Sequence, residues 1–163
     1  MSAVGAEVDA HRCFRAVLMA LALPGRPQPS PVPPASTPAL VLRSIWEPRQ
    51  VGEAVRVIHG DPGPRALEDA RRGSEAEPHL GGTVLVVADR AGPWTRVRLE
   101  GPGLREPTPA LLPLSREALE SRARACAGPP AGIDLVIVTP DGSILGLPRT
   151  TRADMDIAAA EAG

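Results

Sequence analysis

The stretch GIDLVIVTPDGSILGLPRTT, residues 132–151, holds two short apolar runs around a Pro-Asp-Gly turn and ends on an arginine and two hydroxyls. Apolar, β-branched runs joined at Asp141-Gly142 predict a hairpin, with strands over 133–139 and 143–147. Upstream, GGTVLVVAD (81–89) is a continuous apolar run between Gly and Asp, the pattern of a central strand covered on both faces. Trp94 to Leu99 alternates polar and apolar residues, so it reads as a half-exposed strand paired through the turn near Arg90-Ala91-Gly92, with its arginines in water.

Helices flank these strands. In HRCFRAVLMALALPG, Phe14, Val17, Leu18 and Leu21 fall at i, i+3, i+4 and i+7, an amphipathic helix stopped at Pro24-Gly25. Residues 24–38 are too rich in proline to supply helix or central-strand donors and read as an extended connector. A short helix is expected over 39–47, and Val51, Ala54, Val55 and Ile58 repeat the helical spacing, which gives a helix-break-helix unit. Pro64 and Gly73 bracket another short helix. Ser115 can cap a helix over REALESRARACA, with Arg122 and Arg124 toward its negative end. Residues 155–163 read as a frayed Ala-rich tail.

With 163 residues, 43% hydrophobic and 23% charged, the chain suits one domain. A net charge of -1 and 2% aromatics argue against a nucleic-acid binder. Cys13 and Cys126 form no CxxC pair, which points to a reducing cytoplasm without a disulfide scaffold. The apolar run 16–23 follows Glu7 and Asp9 and lacks a cleavage signature, so no signal peptide is expected, and no run is long enough to span a membrane.

All 18 basic residues are arginine. Without lysine there is neither a Walker A loop nor an anchor for pyridoxal phosphate, and no cofactor is expected. His11, His59 and His79 lack ligand spacing, so no metal is expected. Gly101-Pro102-Gly103 leads into Pro107, Pro109 and Pro113 rather than a helix, unlike a dinucleotide loop. Ser115, Ser121, Ser143 and Cys126 lack an adjacent base, and no catalytic residue is assigned. Arg149, Thr150 and Thr151 are the best ligand candidates, because an arginine fork beside two hydroxyls suits phosphate or phosphonate oxygens. The competing and preferred reading is a strand end whose hydroxyls bond local backbone.

Taken together, HRCFRAVLMALALPG, RRGSEAEPHLGGTVLVV with VRLEGPGL, and above all GIDL...LPRTT resemble the PhnH family of the bacterial carbon-phosphorus lyase system. The resemblance implies a three-layer α/β/α domain with a mixed open sheet, similar to pyridoxal phosphate-dependent transferases but without that cofactor. Its first half is shortened between Ala39 and Gly82, where the strand expected before Arg65 is not evident. It also implies a non-catalytic subunit of a core complex with PhnG, PhnI and PhnJ, which joins a phosphonate to the ribose of ATP, and self-pairing when isolated. Asp134, in the GIDL block, then joins Arg149, Thr150 and Thr151 as candidates for ligand or partner contact. A stand-alone phosphonate- or nucleotide-binding module is the alternative.

Overall fold

The computed structural model describes residues 3–45 and 55–155. Three helices, α1 (Ala3–Ala22), α2 (Thr37–Ile45) and α3 (Arg116–Ala125), accompany seven strands: β1 (Val55–His59), β2 (Thr83–Val87), β3 (Thr95–Glu100), β4 (Thr108–Leu112), β5 (Asp134–Val138), β6 (Ile144–Leu147) and β7 (Arg152–Met155). The strands form two open sheets of an α/β fold. One is mixed, in the order β1-β2-β5-β6, and the other is antiparallel, in the order β4-β3-β7.

In the mixed sheet β1, β2 and β5 are parallel and β6 returns antiparallel to β5. Because side chains alternate across a strand, the register sorts this sheet into two faces. Val84, Val86, Leu135, Ile137, Leu145 and Leu147 face a core shared with Ala118, Leu119 and Ala125 of α3 and with Val97, Leu99 and Leu112 of the antiparallel sheet. Leu85, Val136, Val138 and Ile144 face Cys13, Val17 and Ala20 of α1 and Val41 of α2. As expected from its composition, β2 is a central strand buried from both sides.

The hairpin forms as read. Gly142 takes φ +86° at the turn, a conformation with little cost only for glycine. The Asp141 carboxylate accepts from the Thr139 hydroxyl, from Ser143 N at 3.2 Å and from Ser143 Oγ at 3.1 Å. These donors, the Thr139 hydroxyl foremost, hold the Asp141 carboxyl below its ordinary range. A depressed carboxyl stabilises the fold above its unfolded pKa, and that contribution is lost as pH falls through the folded value. Asp141→Asn should therefore lose less melting temperature than the wild type between pH 7 and about pH 3, and equal losses would count against the turn assignment.

Helix α3 starts as predicted: Ser115 Oγ accepts from Ala118 N at 3.1 Å. Asp61 reinforces this start, accepting from Ser115 N at 2.8 Å and Ser115 Oγ at 2.6 Å. Ser115→Ala should cost about 1–2 kcal/mol in denaturant unfolding, and a change below about 0.3 kcal/mol would remove the cap from the account.

The connector 24–38 is largely extended, and it does more than connect. Gln28 pairs with Ile144 through N–H···O bonds of 2.9 and 2.8 Å, which closes the outer edge of β6. A single 3-10 turn, Pro34–Ser36, then leads into α2.

Several expectations are corrected. Val55 and Ile58 lie in β1, not a helix, because parallel pairing with β2 overrides the local helical spacing. Strand β1 is the strand expected before Arg65. Positions 46–54, including Val51 and Ala54, lie outside the described residues.

The helix expected over 64–73 is only a series of turns. Its first helical bond is intercepted, since Arg124 Nη2 donates to Pro64 O at 3.0 Å and Glu68 N donates to Ser121 Oγ at 3.3 Å.

Strand β3 does not pair with β2. It lies between β4 and β7 in the second sheet. Strand β4 was hidden by Pro107, Pro109 and Pro113, but an edge strand needs only one row of donors and tolerates Pro109. Met155, placed in the frayed tail, pairs with Val97 in β7, and 156–163 lie outside the described residues.

The face of α1 is also rotated from the one expected. Cys13, Val17 and Ala20 are buried, whereas Phe14 and Leu18 are exposed. Small residues let the helix approach the sheet at Gly146, and this close approach selects the face. No helix among the described residues is long and apolar enough to cross a membrane.

Candidate functional site

The hairpin register brings the start of β5 beside the end of β6, and so sets Asp134 against Arg149 fifteen positions later. Asp134 Oδ1 accepts from Arg149 N at 2.8 Å, Oδ2 accepts from Nη2 at 2.6 Å, and Nε lies 3.3 and 3.2 Å from the two oxygens. Arg149 Nη1 donates to Pro78 O at 2.8 Å. Of the two side chains, 20% and 24% respectively is exposed, so the pair is well shielded from water. The carboxylate raises the Arg149 pKa above its usual value.

Arg149 thus ties the hairpin base to the turn that precedes β2. Gly81 and Gly132 make room for it: a Cβ on Gly132 would lie 3.0 Å from Arg149 Cβ, and one on Gly81 would strike Arg149 Nη1.

The other two residues of the RTT block diverge. Thr150 is exposed, while Thr151 is 1% exposed and its Oγ1 has no hydrogen-bond partner among the described residues. Thr151 N donates to Pro148 O at 2.9 Å.

That same carbonyl accepts from Arg122 Nη2 at 2.6 Å, and Leu147 O lies 3.5 Å from the same nitrogen. Arg122 is 3% exposed, its Nε is unpartnered among the described residues, and no described carboxylate pairs with it. Burial pushes its pKa down, and weaker electrostatic interactions with Cys126 and Asp134 oppose that.

Arg122 is the site residue that sequence reasoning missed. Its signal was present, because Ala118, Leu119, Arg122 and Ala125 share one face of α3. Arg124 does sit outward, in an ion pair with Glu68.

Between α3 and the segment 149–154 lies a cleft of about 370 Å³, lined among others by Leu119, Arg122, Cys126, Thr150, Thr151 and Arg152. Cys126 donates its thiol to Ile133 O at 3.7 Å. His11, His59 and His79 are all exposed, and no group of metal-ligand type occurs among the described residues.

The chain matches no curated protein. A family model does match, that of the bacterial phosphonate metabolism protein PhnH, over residues 52–154. The match spans β1 through β7 almost entirely and includes Arg122, Asp134, Arg149, Thr150 and Thr151. Covering more than half of the chain, it shows that the protein belongs to the PhnH family, with a role in bacterial phosphonate metabolism.

Proposed function

We propose that the protein is a non-catalytic assembly subunit of the cytoplasmic carbon-phosphorus lyase core complex, which joins a phosphonate to the ribose carbon of ATP with release of adenine. The observation that carries this reading is the family match over 52–154. Two structural features support it. The least exposed ion pair among the described residues, Arg149 with Asp134, is engaged in holding the hairpin base. The outer side of α1 presents Val8, Phe14, Leu18 and Met19, each between 36% and 49% exposed, an apolar area suited to a partner subunit.

Co-purification tests the reading. Tagged protein is expected to retain PhnG, PhnI and PhnJ from the same organism, and a chain that retains none of them overturns it. Self-association of the isolated chain belongs to the same reading, and a monomeric mass in solution would remove that part alone.

The framework is, on this reading, a relative of the pyridoxal phosphate-dependent transferases that has lost its cofactor. The residues do not fit the cofactor, since no lysine is present to hold it. Added pyridoxal phosphate should keep its free absorption spectrum, and a spectral shift of bound cofactor would contradict this.

The alternative of a small-ligand module is favoured by one observation, the buried charge of Arg122 with no carboxylate partner among the described residues.

A further inference from the structure

Buried arginines are ordinarily paired, because an isolated charge removed from water costs several kcal/mol. Arg122 breaks that rule, with only two backbone carbonyls as partners among the described residues. Thr151 breaks a second rule with its buried hydroxyl, which has no partner among the described residues. The two are neighbours, since Arg122 Nη2 and Thr151 N meet at the Pro148 carbonyl, at 2.6 and 2.9 Å. Both line the same cleft.

The local charge is also unbalanced. Asp134 is taken by Arg149 and Asp154 by Arg152 at 3.1 Å, so Arg122 remains as one positive charge without a described counterion. The lack is specific to an anion: the cleft offers guanidinium and hydroxyl donors, with Leu119 and Ala153 as apolar walls.

The geometry points to this cleft as a binding site for a small oxyanion, a phosphate or phosphonate group held by Arg122 and Thr151. A tetrahedral oxyanion can accept from a guanidinium and a hydroxyl together and supplies the missing negative charge. Arg149, the residue singled out by the sequence, borders the same cleft but is engaged by Asp134. The site does not depend on complex membership.

The test is calorimetric titration of the full chain with inorganic phosphate, methylphosphonate and ATP. Thr151→Val keeps the side-chain shape and removes only the orphan hydroxyl, so the unliganded variant should melt at or above the wild-type temperature. Its anion affinity should nevertheless fall about tenfold to a hundredfold, the range for a hydrogen bond to a charged group. Arg122→Met, which keeps the apolar stem, should abolish binding.

Binding of phosphate and methylphosphonate would identify a free small anion as the ligand. Binding of ATP alone, with the same dependence on Thr151, would identify the phosphoryl group of a nucleotide. No heat with any of the three, or affinity unchanged in both variants, overturns the site. If Thr151→Val retains the partner subunits while losing the anion, the site and the assembly role are separable. A wild-type chain that binds the anion but retains no partner subunit would count against the assembly role alone.

Discussion

Gly146→Val is expected to destabilise the protein by roughly 3 kcal/mol or more, enough to unfold a marginally stable domain. Gly146 lies opposite Val136 in the register, on the side of the mixed sheet covered by α1. A Cβ there would sit 2.5 Å from Ala20 O and 2.6 Å from Leu21 N. These are helix backbone atoms, so no rotamer change makes room. The helix itself would have to lift, separating Cys13, Val17 and Ala20 from Leu85, Val136, Val138 and Ile144.

The same displacement would strain the bond from Gly25 N to Gly146 O, now 3.3 Å, which starts the connector along β6. Gly128 provides the control, because a Cβ there meets nothing within 4 Å. Gly128→Ala should change stability by less than about 0.5 kcal/mol. Denaturant unfolding of the three proteins decides the matter: a Gly146→Val variant within about 1 kcal/mol of the wild type would mean that α1 is not seated on β6 as described.

What the sequence revealed depends on how far apart the deciding partners lie. The β5–β6 hairpin was legible because its alternation and its Asp-Gly turn are local, and β2 because a run apolar on both faces has few other uses. Val55 to His59 looked helical because Val51, Ala54, Val55 and Ile58 satisfy a 3.6-residue period; only β2, some 28 positions onward in the register, makes it a strand. Strand β4 was obscured by prolines whose tolerance follows from an edge position that composition cannot reveal.

In the site, Asp134 and Arg149 were named as candidates, but their mutual engagement follows from hairpin register. Arg122 was read as a complement to the helix dipole. Its place on the Ala118-Leu119-Ala125 face pointed inward, and only the tertiary fold shows that no carboxylate awaits it there among the described residues.

Arg149→Ala is expected to cost about 2–4 kcal/mol, near the range for removing one partner of a buried pair, reduced somewhat because both side chains keep some contact with water. The loss has three parts. Asp134 loses its guanidinium partner and keeps the backbone amide of residue 149, Pro78 O loses its donor, and the turn before β2 is no longer tied to the hairpin base. Arg149→Lys should recover only a small part, because an ammonium cannot reproduce a fork that spans both carboxylate oxygens and a backbone carbonyl together.

A double-mutant cycle with Asp134→Asn isolates the pair, since asparagine keeps an acceptor for the backbone amide and removes the charge. The coupling should lie between about 1 and 3 kcal/mol, with the double variant more stable than the sum of single losses implies. Measured beside the anion titration, the cycle separates two roles for the RTT block. A loss of stability at Arg149 with oxyanion affinity retained places Arg149 in the scaffold and Arg122 in the site. Unchanged stability with affinity lost would exchange the two arginines and return the ligand to the tip of the block.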